Sequence, residues 1–147
     1  MRPDFDAMYA ADPAAGLADR TDDLVASDGS SRAVAATRDR TAVMPHVRVV
    51  ESDLPEVPLD APVDLVVAAE FLYYLDDLAA GVAALWAACA PGAHLACVHW
   101  ARHPHDGYLS GVQLHGLLRL SATERGARHL VDHRDDDFVL DVFELPS

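Results

Sequence analysis

Asp64-Leu-Val-Val-Ala-Ala-Glu70-Phe-Leu-Tyr-Tyr-Leu-Asp76 is the stretch from which the fold is read. Leu65 to Ala69 is a continuous apolar run, too short for a helix of its own and without polar alternation. Such a run reads as a strand buried on both faces, which points to a parallel sheet. Glu70 stands where that strand should end. In open α/β sheets ligands bind beyond the carboxyl ends of the strands, so a carboxylate there is a candidate site residue. A solvated loop acid accounts for Glu70 alone equally well.

Toward the N-terminus, the Pro55 to Pro62 segment connects this strand to its predecessor, and its prolines exclude a helix. Val47 to Val50 reads as that earlier strand, followed by Glu51-Ser52-Asp53-Leu54. Leu24 to Ser27 is a further short strand ending at Asp28. Gly29 permits a tight turn, Ser30 or Ser31 can cap, and a helix follows from Arg32 to Arg40 with Ala33, Val34 and Ala36 on its inner side. Before this, Phe5, Met8 and Tyr9 fit one amphipathic turn ending ahead of Pro13, and residues 11–16 read as a loop.

Toward the C-terminus, Asp76 or Asp77 opens a helix running to Ala90, with Leu78, Val82, Leu85, Trp86 and Cys89 as its buried stripe. Pro91-Gly92 is expected to stop it, and Ala93 to His99 forms the next strand. Trp100 to Ser110 is a His- and Pro-bearing loop, and Gly111 to Leu120 has helical spacing. Ala127 to Val131 and Phe138 to Phe143 are two strands joined by an acidic turn, residues 132–137. Their separation is too short for a crossover helix, so they should pair antiparallel. The sum is one α/β layered domain, a mostly parallel sheet with an antiparallel C-terminal strand pair.

The chain has 147 residues, 51% hydrophobic, which fits a globular domain with a real core. Its net charge is −13, all eleven basic residues are Arg, and there is no Lys. Schiff-base chemistry and a P-loop lysine are thereby excluded. The acidity argues against sequence-independent binding to nucleic acid or to an anionic membrane. No apolar run is long enough to span a bilayer, and the N-terminus has no signal-peptide core, so a cytoplasmic location is expected. Cys89 and Cys97 lie in apolar stretches and read as buried, reduced thiols.

Asp28, Asp53 and Glu70 each follow or end one of three successive strands. If the strands are parallel, all three project to one rim. Carboxylates there can accept hydrogen bonds from ribose hydroxyls or a base amino group, and would also suit a cationic ligand. His94, His99, His103 and His105 invite a metal reading, but no Cys or acid stands at convincing ligand spacing and Pro104 breaks any aligning helix; no metal is expected. Neither Gly-x-Ser-x-Gly nor Gly-x-Gly-x-x-Gly occurs, which disfavours a serine hydrolase and a dinucleotide oxidoreductase.

Residues 23–36, 46–55, 63–75 and 91–100 together resemble consecutive segments of class I S-adenosylmethionine-dependent methyltransferases, a Rossmann-like fold. Glu70-Phe-Leu-Tyr-Tyr-Leu75, His99-Trp100, residues 111–115 and 133–142, and the opening Asp4 to Pro13, are similar to the nodulation-protein-S-like branch. No one motif is diagnostic; order and spacing carry the likeness. The resemblance implies that Asp28, beside Gly29, holds ribose hydroxyls and that Asp53 and Leu54 contact the adenine. It implies that Ala69, Glu70 and Phe71 lie beside the methionine part and the transferred methyl group. It also implies N-methyl transfer from S-adenosylmethionine to a small-molecule amine, since that branch methylates an amine of a deacetylated chito-oligosaccharide. His99 is the candidate base from its position alone, and a structural histidine is the competing reading.

The front of the chain departs from that family. The family's first strand and Gly-rich turn have no counterpart, and Gly16 is the only glycine before Gly29. The missing piece is roughly thirty residues, about one βα unit, and includes the central strand. Two expectations follow for the sheet: the strands ending at Asp28 and at Ala69 become neighbours, and a misaligned edge promotes self-association. The rival to an enzyme is a non-catalytic methyltransferase remnant, or a binding partner of an intact paralogue.

Overall fold

The computed structural model describes residues 17–147; the turn expected around Phe5, Met8 and Tyr9 and the loop up to Gly16 lie outside the described residues. These residues form two compact units that divide between Asp53 and Leu54. In the first, a 3-10 turn (Leu17–Arg20) precedes strand β1 (Leu24–Asp28), helix α1 (Ser31–Arg40) and strand β2 (Val47–Glu51). Ser30 caps α1, its hydroxyl accepting the Ala33 N–H at 3.3 Å. Strands β1 and β2 pair in parallel, from Leu24 opposite Val47 to Asp28 opposite Glu51. Arg38 ties helix to strand by donating to the Val49 carbonyl at 3.0 Å.

The second unit holds β3 (Val63–Ala69), a 3-10 turn (Leu72–Tyr74), α2 (Leu78–Ala88), β4 (Cys89–Trp100), α3 (Gly111–Glu124), β5 (Arg128–Arg134) and β6 (Phe138–Glu144). Its sheet has the order β3-β4-β6-β5. β3 and β4 are parallel, and β5 pairs antiparallel with β6 as the short connection requires. β6 also pairs antiparallel with β4. Alternate residues of β4 and β6 face the core: Ala93, Leu95, Cys97 and His99 on one, Val139, Asp141 and Phe143 on the other. Helices α2 and α3 meet there, where the Trp86 indole donates to the Ser121 hydroxyl at 2.9 Å and its ring lies 5.9 Å from that of Phe143. Leu72, Leu85, Leu114 and Leu118 complete this core. Cys89 and Cys97 are buried and free, and burial pushes their thiols up, to about 11 and about 12.

Four expectations are corrected. Among the described residues β1 pairs with β2 and β3 with β4, and no ladder joins β1 to β3. β3 is buried on one face only: Ala68 is fully buried, whereas Leu65 and Val67 are 39% and 42% exposed. Helix α2 ends at Ala88, and Pro91-Gly92 lies inside β4. The register breaks there, between Val63 and Leu65 of β3, and Gly92 adopts φ 73°, so a residue with no N–H sits where the ladder is interrupted. Finally, Asp132, His133 and Arg134 belong to β5, and the turn is only residues 135–137. Asp135 accepts the N–H groups of Asp137 (2.8 Å) and Phe138 (2.9 Å), and the Phe138 bond foremost holds its carboxyl down at about 2. No helix among the described residues is long and apolar enough to cross a membrane.

Candidate active site

In the first unit, the parallel register brings the ends of β1 and β2 to one edge. Asp28 turns back at the strand end to accept the Ser30 N–H at 2.8 Å, and its carbonyl accepts the Ser52 N–H at 3.1 Å. That second bond leads the chain from β2 into Asp53. A Cβ on Gly29 would stand 1.9 Å from Asp53 Oδ1, so the Asp53 carboxylate occupies the space a side chain there would need. The structure therefore brings Asp28, Gly29 and Asp53 together. Their hydrogen-bonding character is that of acceptors, which matches hydroxyl and amino donors.

In the second unit, β3 delivers Ala69 and Glu70 to its carboxyl end, both exposed. The Glu70 N–H still bonds to the Val98 carbonyl at 3.0 Å, but Glu70 itself has φ 61°, the left-handed region. A side chain there costs about 1–2 kcal/mol, and such residues concentrate at functional sites. The Tyr73 hydroxyl donates to Glu70 Oε2. Burial, reinforced by the Glu70 carboxylate, raises the Tyr73 phenol well above its ordinary value, so it stays a proton donor to that carboxylate. Tyr74 stands edge-on to Tyr73, 4.8 Å between ring centroids, and is 48% exposed. The 101–110 loop closes on this turn: the Tyr108 N–H donates to the Tyr73 carbonyl at 2.8 Å, and its hydroxyl donates to Asp76 at 2.5 Å. Phe71 and Leu54 are partly buried against the core. The rim around Glu70 is thus acidic and aromatic.

Behind the rim lies a polar chain that the sequence reading did not foresee. The Leu72 N–H donates to His99 Nε2 at 3.3 Å. His99 Nδ1 lies 3.0 Å from His115 Nε2, and His115 Nδ1 lies 2.5 Å from Asp141 Oδ2. All three side chains are 0–1% exposed. Asp141 Oδ1 also accepts from Arg119 Nε at 3.0 Å and His129 Nε2 at 2.5 Å. Burial alone would raise the Asp141 carboxyl, but the bonds from His115, Arg119 and His129 outweigh it and hold the group below its ordinary value. Burial, then the neighbouring His115, pushes His99 down to about 3. Of the two readings of His99, this geometry favours the structural histidine over the base: the ring is sealed from solvent, and both nitrogens are engaged within the protein.

The four histidines of the metal reading go to separate partners: His94 to Glu144, His99 to His115, His103 to the Pro104 carbonyl and His105 to Asp106. Elsewhere, His129, Asp132 and Asp141 place ligand atoms within 4.8 Å of one another. Arg119 already bonds to both of those acids and supplies the positive charge there.

A family model described as a methyltransferase domain matches residues 10–97, more than half of the chain. The chain belongs to this methyltransferase-domain family. Its members bind S-adenosylmethionine. Among solved structures, the chain is similar to a Pseudomonas syringae protein described as a candidate methyltransferase, with 35% identity, 87% of this chain and 76% of that one covered, and a TM-score of 0.72. It shares its fold with the N-methyltransferase NodS of Bradyrhizobium japonicum, solved with S-adenosyl-L-homocysteine, at 23% identity, 85% and 67% coverage and a TM-score of 0.70. It also shares the fold of DhpI in complex with S-adenosylhomocysteine, at 24% identity, 88% and 69% coverage and a TM-score of 0.66. Among curated proteins, none matches the chain.

Two signals in the sequence point to the residues that were missed in this methyltransferase domain. Asp141 interrupts the apolar alternation of Val139 and Phe143, and an acid on a buried strand face demands a partner. His115 adjoins Leu114 and precedes Leu118 by three, which puts an imidazole on the buried stripe of α3. Arg119, one turn after His115, brings the counter-charge.

Proposed function

We propose that the chain transfers a methyl group from S-adenosylmethionine to an amine of a small molecule. The observation that carries the reading is Glu70: an exposed carboxylate held at positive φ on the carboxyl end of β3, gripped by Tyr73 and flanked by Tyr74, Asp76 and Tyr108. An acidic, aromatic rim attracts a cationic amine and can orient its nitrogen. The acceptors gathered at Asp28, Gly29 and Asp53 fit the adenosine half of the donor: Asp28 takes the ribose hydroxyls, and Asp53 with Leu54 the adenine. Ala69, Glu70 and Phe71 attend the methionine half and the acceptor. The donor, when bound, supplies an electrophilic methyl on a sulfonium. A cationic amine would first give up a proton to solvent; its freed lone pair would then form the new C–N bond as the C–S bond breaks, and S-adenosylhomocysteine would leave. The likeness to NodS, an N-methyltransferase, supports nitrogen as the accepting atom.

A second reading is favoured by one specific observation. Gly16 is the only glycine before Gly29, so the chain lacks a Gly-rich turn that would let backbone approach the methionine end closely. On that reading the chain is a non-catalytic methyltransferase remnant, or a partner of an intact paralogue. A thermal melt with S-adenosylhomocysteine separates the two. Binding at 100 times Kd adds about 2.7 kcal/mol, a clear upward shift of the midpoint. The enzyme reading expects that shift, its loss in Asp28→Ala and Asp53→Ala, and methyl transfer to an amine detected by mass spectrometry. A cooperative melt unmoved by ligand, with no methylated product, would establish the second reading instead.

A further inference from the structure

We propose that Asp141, His115 and His99 are positioning residues, which fix the Leu72–Tyr74 turn, and with it Glu70 and Tyr73, through hydrogen bonds whose polarity runs one way from carboxylate to backbone amide. The turn begins with N–H groups that have no partner inside it, as every helical start does. Phe71, at its cap position, offers no side-chain acceptor. His99 Nε2 supplies one from β4, at 3.3 Å from the Leu72 nitrogen.

The two ends of the chain dictate its protons. A backbone N–H can only donate, so His99 Nε2 carries no hydrogen. The neutral ring then has its proton on Nδ1 and gives it to His115 Nε2, 3.0 Å away. His115 must in turn carry its proton on Nδ1, and it donates to the Asp141 carboxylate at 2.5 Å. No other pair of neutral tautomers satisfies all three contacts. Burial leaves no water to repair a mismatch, because all three side chains are 0–1% exposed. Arg119 and His129 hold Asp141 as an anion from the other side. The consequence reaches the rim because Tyr73, the next residue after Leu72, stands edge-on to His99 at 5.1 Å and donates its hydroxyl to Glu70.

The experiment reverses the polarity without changing the shape. In Asp141→Asn, Arg119 and His129 keep the amide oxygen at Oδ1, so the amide NH2 faces His115 Nδ1. His115 and then His99 must switch to the Nε2–H tautomer, and His99 meets the Leu72 N–H donor to donor. In the unaltered protein, nitrogen-15 spectra of the imidazoles are expected to show His99 and His115 both protonated at Nδ1. In the variant, hydrogen exchange at the Leu72 amide is expected to rise by about tenfold or more while the β4–β6 ladder stays protected. The activity arm rests on the methyl-transfer reading: kcat falls by up to about 100-fold. Either ring protonated at Nε2 in the unaltered protein would overturn the proposal, and so would a folded variant whose Leu72 amide stays protected. Both readouts remain decisive if no methyl transfer is found, and the tautomers decide even if the variant does not fold.

Discussion

At the scale of single residues, two residues depart from their ordinary behaviour. Glu70 is held left-handed on the rim, and His99 is held neutral beneath it. The second has a measurable cost in acid. In the unfolded chain the His99 ring takes up a proton as pH falls below its ordinary 6.5; in the folded protein it does so only near 3. The unfolded state therefore binds more protons across that window, and stability that is full above pH 6.5 drains as pH falls toward 3. The slope from this one group is at most about 1.4 kcal/mol per pH unit. Asp141, whose carboxyl is held below its ordinary 3.8, adds a loss of the same sign at the acid end. Urea midpoints measured from pH 7 down to pH 4.5 should fall steadily for the unaltered chain, and less steeply for His99→Gln. Parallel profiles would show that His99 is not the group responsible. Glu70 was legible in the sequence as a carboxylate at a strand end. Its positive φ was not, because that conformation is imposed by the Val98 and Tyr73 bonds, which are long-range or follow the strand.

At the scale of elements, the junction of β4 with α3 is the most exacting contact. Gly111 opens α3, and a Cβ there would lie 1.9 Å from the Trp100 carbonyl oxygen and 2.9 Å from its carbon. Both are backbone atoms and cannot swing aside. Gly111→Ala should thus cost about 1–3 kcal/mol, despite the better helix propensity of alanine. Gly116, later in the same helix, has nothing within 4 Å of its missing Cβ and is exposed. Gly116→Ala should stabilise by up to about 1 kcal/mol. Denaturant midpoints of the two variants moving in the same direction would contradict this account. Periodicity exposed nearly every element in advance, because the stripes on α2 and α3 and the alternation in β6 are local. What it missed are places where a local rule yields to a tertiary contact. Pro91-Gly92 ends no helix, since a bulge beside β3 absorbs it. α3 runs on to Glu124 because Ser121 bonds to Trp86 and Ala122 is buried.

At the scale of the whole molecule, the described residues form two sheets, with β3 ending the larger one. The two ends of that larger sheet are not alike. β5 carries Arg128, His129, Asp132, His133 and Arg134, the charged edge that discourages pairing. β3 presents Leu65 and Val67, each about two-fifths exposed, with Asp64 its one charged residue. A second copy adding to β3 would cover them, but two chains of net charge −13 repel each other at low ionic strength. Screening lengths of about 30 Å at 0.01 M salt shrink to about 3 Å at 1 M. Sedimentation should therefore show a monomer in dilute buffer and a rising weight-average mass as salt is added. Val67→Lys puts a charge on the edge itself and should keep the chain monomeric throughout. A monomer at every salt concentration in the unaltered chain would show that β3 is no association edge. Association undiminished in Val67→Lys would place the contact elsewhere.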